Sequence, residues 1–337
     1  MKMVAKLSAA LIACTMLVGA TAQAQEMRFF RIGTGSAGGT YFPIGGLIAN
    51  AISNPPGSRP CDQGGSCGVP GLVAIAQSTN ASAHNVNAIN AGQMEAGLTG
   101  AATLYFAYHG LEKFEGKAKP KLRIIANLYP EDLHLVMQKD QSLDSLKNLE
   151  GQRVGIAQAG SGTQIGVELM LAAQGITRDN MQEAELNNTQ SAERIADGQL
   201  DAYFYVAGTP VAAMIQLDNT KGMELYDFSD AEIEASNKAV PFYVRSTIPA
   251  GTYEGIQYDV NTLAVNGILV TSVDQDDELV YEITKALWGD QARQLLDAGH
   301  AKGKAITLET ALDGILNLDV PLHPGAERFY KEIGMLP

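Results

Sequence analysis

Hydroxyl and amide side chains recur in two glycine-rich stretches of this 337-residue chain. The first runs Ile32-Gly33-Thr34-Gly35-Ser36-Ala37-Gly38-Gly39-Thr40 and the second Val154-Gly155-Ile156-Ala157-Gln158-Ala159-Gly160-Ser161-Gly162-Thr163. Glycine lets backbone approach a ligand, and the free N–H groups of a helix start attract an anion. Thr34, Ser36, Thr40, Ser161 and Thr163, the Gln158 amide, the Tyr41 phenol, and Ser78, Asn80 and Ser82 of a polar turn would together suit a small polar ligand in a cleft. Such a set binds; it holds no evident nucleophile. Ser, Thr and Asn also cap helices whatever a protein does, and for Ser82 and Ser191 capping is as good an explanation.

Other chemistries fit less well. Gly33-x-Gly35-x-x-Gly38 satisfies a dinucleotide fingerprint, but the window that should supply the ribose-binding acid reads Ser53-Asn54-Pro55-Pro56-Gly57. Neither loop ends in the Gly-Lys-Ser/Thr of a phosphate-binding P-loop. A nucleophile elbow needs glycine two residues either side of its serine, whereas Thr34 precedes Ser36, and Ala159 and Thr163 flank Ser161. His84, His109, His134, His300 and His323 have no metal or triad spacing and read as surface or capping residues. No metal, cofactor or catalytic residue is expected.

The elements that must position the loops repeat. Strand Phe29 to Ile32, helix Pro43 to Ser53, strand Leu72 to Ala76, helix Ala83 to Ala91 and strand Ala96 to Thr99 are answered by strand Arg153 to Ile156, helix Gln164 to Gln174, strand Glu183 to Leu186, helix Ser191 to Ala196 and strand Ala202 to Tyr205. Ala91-Gly92-Gln93-Met94-Glu95-Ala96 and Asp197-Gly198-Gln199-Leu200-Asp201-Ala202 hold matching places. Glu95 and Asp201 there read as carboxylates of a solvated turn. Tyr203 and Tyr205 alternate with Phe204, which brings Tyr205 to the cleft rim or into the core. Alternating strands and helices argue for α/β architecture in two lobes, each a mainly parallel sheet flanked by helices, with the cleft between them. Strand Leu122 to Ala126 precedes Leu133 to Met137, which crosses between the lobes, Leu263 to Val270 carries the chain back into the first lobe, a helix runs from Asp276 to Ala298, and Pro324 opens the last helix.

Lys2 and Lys6, the apolar stretch Leu7 to Ala20 and Ala22-Gln23-Ala24 form a secretory leader, residues 1–24, with an A-x-A cleavage site. Leu11-Ile12-Ala13-Cys14 offers a lipoprotein box as the rival. The lobes then divide as 25–135 plus 263–337 and 136–262. The net charge of −13, made more negative by loss of two leader lysines, argues against a nucleic-acid partner. Cys61 and Cys67 in an exported chain read as a disulfide stapling a Pro/Gly-rich loop, contributing about 2 kcal/mol.

Taken together, Ile32 to Pro43, Ser82-Ala83-His84-Asn85, Gly160-Ser161-Gly162-Thr163, Gly198-Gln199-Leu200-Asp201-Ala202, Ile248-Pro249-Ala250-Gly251-Thr252-Tyr253 and Pro321-Leu322-His323-Pro324-Gly325-Ala326 resemble the TAXI family of TRAP-transporter solute receptors, in family order and over the whole mature chain. The resemblance implies a periplasmic, two-lobed type II binding protein that closes on a small carboxylate, such as glutamate, glutamine or 2-oxoglutarate, and presents it to membrane subunits. It implies a monomer by default. It carries the site onto Thr34, Gly35, Ser36, Gly39, Thr40 and Tyr41, the Ser78–Asn80–Ser82 turn, and Gln158, Ser161, Gly162 and Thr163, with Gly208 and Tyr243 as further candidates. The Cys61 to Cys67 insertion departs from the family's commonest pattern and leaves the rim beside the Ser78 turn open. An exported enzyme and a surface interaction protein without a small ligand are the alternatives from other classes.

Overall fold

The computed structural model describes residues 27–337; the leader and Cys14 lie outside the described residues. The chain enters strand β1 (Arg28–Gly33) and passes through the first loop into helix α1 (Tyr41–Ile52). Ile44, Ile48 and Ile52 of α1 recur every four residues on its buried face. A two-residue parallel pair, β2 (Ser53–Asn54) and β3 (Val69–Pro70), brackets the stapled loop. Strand β4 (Leu72–Gln77), helix α2 (Ser82–Asn90), strand β5 (Ala96–Gly100) and helix α3 (Ala101–His109) complete the first run.

The second run copies it: β7 (Arg153–Gly155), α4 (Gly162–Ala173), β8 (Gln182–Ala184), α5 (Asn188–Ala196), β9 (Ala202–Ala207) and α6 (Ala212–Lys221). Two long strands, β6 (Leu122–Gln138) and β12 (Val260–Ser272), join the halves. One ten-stranded sheet results, ordered β4-β1-β5-β12-β6-β9-β7-β8, with β10 (Met223–Leu225) on β6 and β11 (Val244–Ile248) on β12. The outer strands β4-β1-β5 and β9-β7-β8 pair in parallel, while β12 and β6 run antiparallel to their neighbours. Helices α7 (Asp230–Ala239), α8 (Asp277–Leu287), α9 (Asp290–Gly299) and α10 (Pro324–Glu332) cover the faces. The lobe borders expected at 135/136 and 262/263 fall inside β6 and β12.

The duplication reaches side chains. Arg31 donates through its backbone N–H and Nε to Glu95 Oε2, and through Nη2 to Oε1, at 2.7–2.9 Å. Arg153 grips Asp201 with the same three donors. Glu95 and Asp201 therefore tie β1 and β7 to the turns entering β5 and β9. Burial alone would raise the Glu95 carboxyl, but Arg31 outweighs it and holds Glu95 below the ordinary range; the Arg153 hydrogen bond does the same for Asp201.

Several expectations are corrected. Leu122 to Ala126 and Leu133 to Met137 belong to one strand; Pro130 lies opposite Asn266, beyond the end of the β9 pairing at Asp132 where a missing N–H is tolerated, and the neighbouring register shift against Gly267 and Ile268 skips Leu128. The helix expected over Asp276 to Ala298 breaks at Trp288 and Gly289, where Gly289 caps α9. Trp288 Nε1 donates to Tyr330 Oη at 3.0 Å. Cys61 and Cys67 are disulfide-bonded as expected. The stapled loop docks on α9: Cys67 N–H donates to Gln291 Oε1, and Gln291 Nε2 to Gly65 O. Pro324 opens α10, and His323 caps it by accepting from Gly325 N–H.

His134 is neither a surface nor a capping residue. Strand alternation along β6 puts it with Asp132 on one face, buried. Its Nδ1 meets Tyr205 O at 3.2 Å and its Nε2 meets Tyr253 Oη at 3.0 Å. Asp132 accepts from Thr209 and Ser246, with Lys302 Nζ 3.7 Å away. Burial pushes the imidazole below its ordinary value, against the pull of Asp132.

Candidate functional site

Five helices begin on one cavity between the two halves. Its wall includes Thr40 and Tyr41 at the head of α1, Ala81 and Ser82 at α2, Gly100 and Ala102 at α3, Ser161 to Thr163 at α4, and Asn187 and Asn188 at α5. Each start leaves N–H groups without a partner in its own helix and carries the positive end of the helix dipole. Positions for the centres of water-sized spheres fill about 40 Å³, some three times what one water needs. The space suits a small metabolite.

The two loops reach the cavity differently. In the second loop Ala157 and Gly160 both take positive φ, a conformation glycine adopts freely and alanine seldom does. The sharp turn aims the start of α4 inward. Ser161 caps α4 by accepting from Gln164 N–H at 3.1 Å, and Thr163 Oγ1 accepts from Val206 N–H at 3.0 Å. In the first loop glycine supplies room: a Cβ on Gly39 would collide with the Tyr205 hydroxyl. Thr40 does not cap α1; its hydroxyl donates to Gly208 O at 2.5 Å in the opposite half.

Each loop is clasped by the other half. Gly38 O accepts from Asn188 Nδ2 at 3.1 Å and from Ala213 N–H at 3.2 Å. Gly160 O accepts from His84 N–H at 3.2 Å, Ala159 O from Asn80 Nδ2 at 3.4 Å, and Thr79 O from Gln158 Nε2 at 3.5 Å. These bonds hold the halves closed around the cavity.

Of the residues the sequence singled out, Ser36, Thr40, Tyr41, Ser82, Gln158, Ser161, Gly162, Thr163, Tyr205 and Tyr243 line the cavity together. Thr34, Gly35, Gly39, Ser78, Asn80 and Gly208 stand outside that wall and support it. Thr34 is fully buried, its hydroxyl donating to Gln77 O at 2.7 Å. Ser78 Oγ donates to Gly35 O, and Asn80 bridges the halves.

Sequence reading missed Glu131, Asn188, Thr103 and Phe106 in the wall. Glu131 precedes Asp132 on β6, in a segment without a glycine-rich signal; only this pair of acids within a largely apolar strand hinted at it. Tyr41 Oη donates to Glu131 Oε2 at 2.7 Å. Burial pushes the Glu131 carboxyl up to about 8, against the Tyr41 hydrogen bond and the Lys302 charge. Burial likewise pushes the Tyr205 phenol up to about 12, with Ser36 pulling the other way.

Comparison with known proteins bears on the family and the fold. The model of the NMT1-like family covers residues 32–334. The ligand binding component of an ABC-type import system from Staphylococcus aureus, solved with zinc bound, is 11% identical with a TM-score of 0.51 over 92% of this chain and 93% of that one. MatC from Rhodopseudomonas palustris with bound malate is 12% identical with a TM-score of 0.51, covering 92% and 97%. A protein from Bordetella bronchiseptica RB50 is 16% identical with a TM-score of 0.51, covering 92% and 84%. At these identities the structural likeness speaks for the fold, a two-lobed α/β binding-protein architecture, and the sequence match speaks for the family: the chain belongs to the NMT1-like family.

Proposed function

We propose that the protein is the periplasmic solute receptor of a TRAP-type transporter of the TAXI kind, built from lobes 25–135 plus 263–337 and 136–262. It captures a small carboxylate by hinge closure and delivers it to membrane subunits. The observation that carries this reading is the convergence of five helix starts on one small interlobe cavity whose two loops are each bonded to the opposite half. Contacts available only in the closed state supply the free energy that shifts the population toward closure. The chain is acidic, with net charge −13, so local backbone dipoles and not overall charge must attract the anion. Added salt then weakens binding only modestly, because buried donors are poorly screened.

The family resemblance of the loop motifs supports the TAXI assignment, and the malate bound by MatC, a protein of the same fold, is consistent with a small organic acid. A thermal-shift panel of amino acids and di- and tricarboxylates on the mature protein tests capture, since a ligand at a hundred times its Kd adds about 2.7 kcal/mol. A panel without any stabilising member would end this reading. The energy source separates transporter classes: uptake that survives collapse of the ion gradients and depends on ATP would remove the TRAP assignment and keep the receptor.

A further inference from the structure

The cavity wall holds no cation. Among the described residues that line it there is no Lys, Arg or His; its ionisable groups are the Glu131 carboxyl and the phenols Tyr41, Tyr205 and Tyr243. Glu131 reaches the wall from the middle of β6 and is 3% exposed. Strands β5 and β12 lay Gly100 and Gly267 against it, and a Cβ on Gly267 would lie 3.2 Å from the Glu131 carboxyl carbon. The two glycines make room for the carboxyl and bring it no ionisable neighbour. Its oxygens differ. Oε2 accepts from the Tyr41 hydroxyl at 2.7 Å, whereas no hydrogen bond among the described residues uses Oε1.

Tyr41 opens α1, so the helix start that offers N–H groups to an anion also orients this carboxyl. A carboxylate ligand and an ionised Glu131 would put two like charges in that small space with no cation between them. Two carboxyl groups sharing such a site do not both ionise, and burial favours the neutral form of the one that belongs to the protein. With Oε2 engaged as an acceptor, the proton sits on Oε1 and makes it an O–H donor.

Resting on the solute-receptor reading above, we infer that Glu131 is a ligand-binding residue that works in its neutral form: its Oε1–H donates to the captured carboxylate where a cation would otherwise stand, and capture is thereby linked to a proton held by the protein. The linkage has a definite sign. Without ligand, burial holds the proton on Glu131 up to pH about 8; Asp132 adds to this effect, and the Tyr41 hydrogen bond and the Lys302 charge oppose it. The phenols Tyr41, Tyr129, Tyr205 and Tyr243 around it are all pushed above the ordinary tyrosine range and stay neutral there. A bound anion holds the proton more firmly still. Below pH 8 the proton is present with or without ligand, and affinity does not change with pH. Above it the free protein has lost a proton that the complex keeps, so capture takes one up and affinity falls by up to about tenfold per pH unit.

The experiment titrates the mature protein with succinate, malate and 2-oxoglutarate, whose own carboxyls stay ionised throughout, by calorimetry from about pH 7 to about pH 10. Two buffers of different ionisation enthalpy count the protons. The expected result is a Kd that is flat to about pH 8 and weakens about tenfold or more by about pH 10, with proton uptake on binding. Glu131→Gln is neutral at every pH and keeps both an N–H donor and an acceptor for Tyr41, so it should bind within about threefold of wild type at neutral pH and hold that affinity in alkali. A wild-type Kd that stays flat to about pH 10, or a Glu131→Gln variant that follows the wild-type course or binds tenfold more weakly at neutral pH, overturns the inference and leaves the receptor reading in place. A wild-type protein that binds no probe at any pH overturns both. If Glu131→Gln does not fold, the wild-type proton count decides, and Tyr41→Phe, which removes a hydrogen bond to the charged form, should move the onset of weakening to higher pH.

Discussion

Gly162 at the head of α4 rests against Ser82 at the head of α2, so close that a Cβ on Gly162 would lie 2.7 Å from Ser82 Oγ and 2.9 Å from Thr103 Oγ1. The two residues belong to opposite halves of the molecule. Glycine here is required by the closed arrangement and not by φ. Gly162→Val should therefore leave each half folded while preventing the halves from meeting. We expect circular dichroism like that of the wild type, a larger radius of gyration by solution scattering, and loss of ligand-induced stabilisation. Ligand binding at wild-type affinity would show that closure does not need this contact.

Ser161 has two tasks in this arrangement. As the cap of α4 it accepts from Gln164 N–H, so Ser161→Ala should cost about 1 kcal/mol of stability without ligand. As part of the cavity wall it should also weaken ligand binding beyond that cost. Melting temperatures with and without ligand, together with Kd, separate the two. An unchanged Kd would leave Ser161 as a cap alone.

The Arg153–Asp201 fork gives a pH dependence of definite sign. Asp201 titrates below its ordinary 3.8 in the folded state because Arg153 stabilises its charged form. The stabilisation is complete above the unfolded value and is lost as pH falls through the folded one. Asp201→Asn should lower the melting temperature at neutral pH, and the difference from wild type should shrink as the pH drops below about 4. A difference that persists undiminished in acid would assign the effect to packing.

Cys61 and Cys67 lie outside the cavity wall, and their loop is bonded to α9 through Gln291. Replacing both with serine should cost about 2 kcal/mol through loop closure and leave ligand affinity within about twofold. An affinity loss of tenfold would mean that the loop reaches the site.

The lone His134 shows why an isolated polar residue is hard to read from a chain. Its partners Thr209, Tyr253 and Tyr205 are remote in sequence and meet it only because β9 and the segment after β11 lie across β6. Glu131 is the same problem with greater consequence. Its neighbours Tyr41, Gly100 and Gly267 come from three separate elements, and nothing in the sequence around Pro130 marks it as the wall of a cavity. The break at Trp288–Gly289 was hidden for another reason: the apolar positions continue on both sides of it, and glycine can cap a helix as well as sit within one.

Local rules were enough for the loops, since a strand, a glycine-rich turn and an amphipathic helix are dictated by residues within one short span, and their repetition at Gly33 to Thr40 and Gly155 to Thr163 already announced two similar halves. The cysteine pairing followed in the same way from short separation. Tertiary structure decided the rest: that the two runs share one sheet through β6 and β12, that each loop is bonded to the opposite half, and that Glu131 and Asn188 join the wall of the space where five helices begin. Those properties depend on which distant surfaces meet, and the energy of a buried polar group is set by neighbours that the order of residues along a chain does not name.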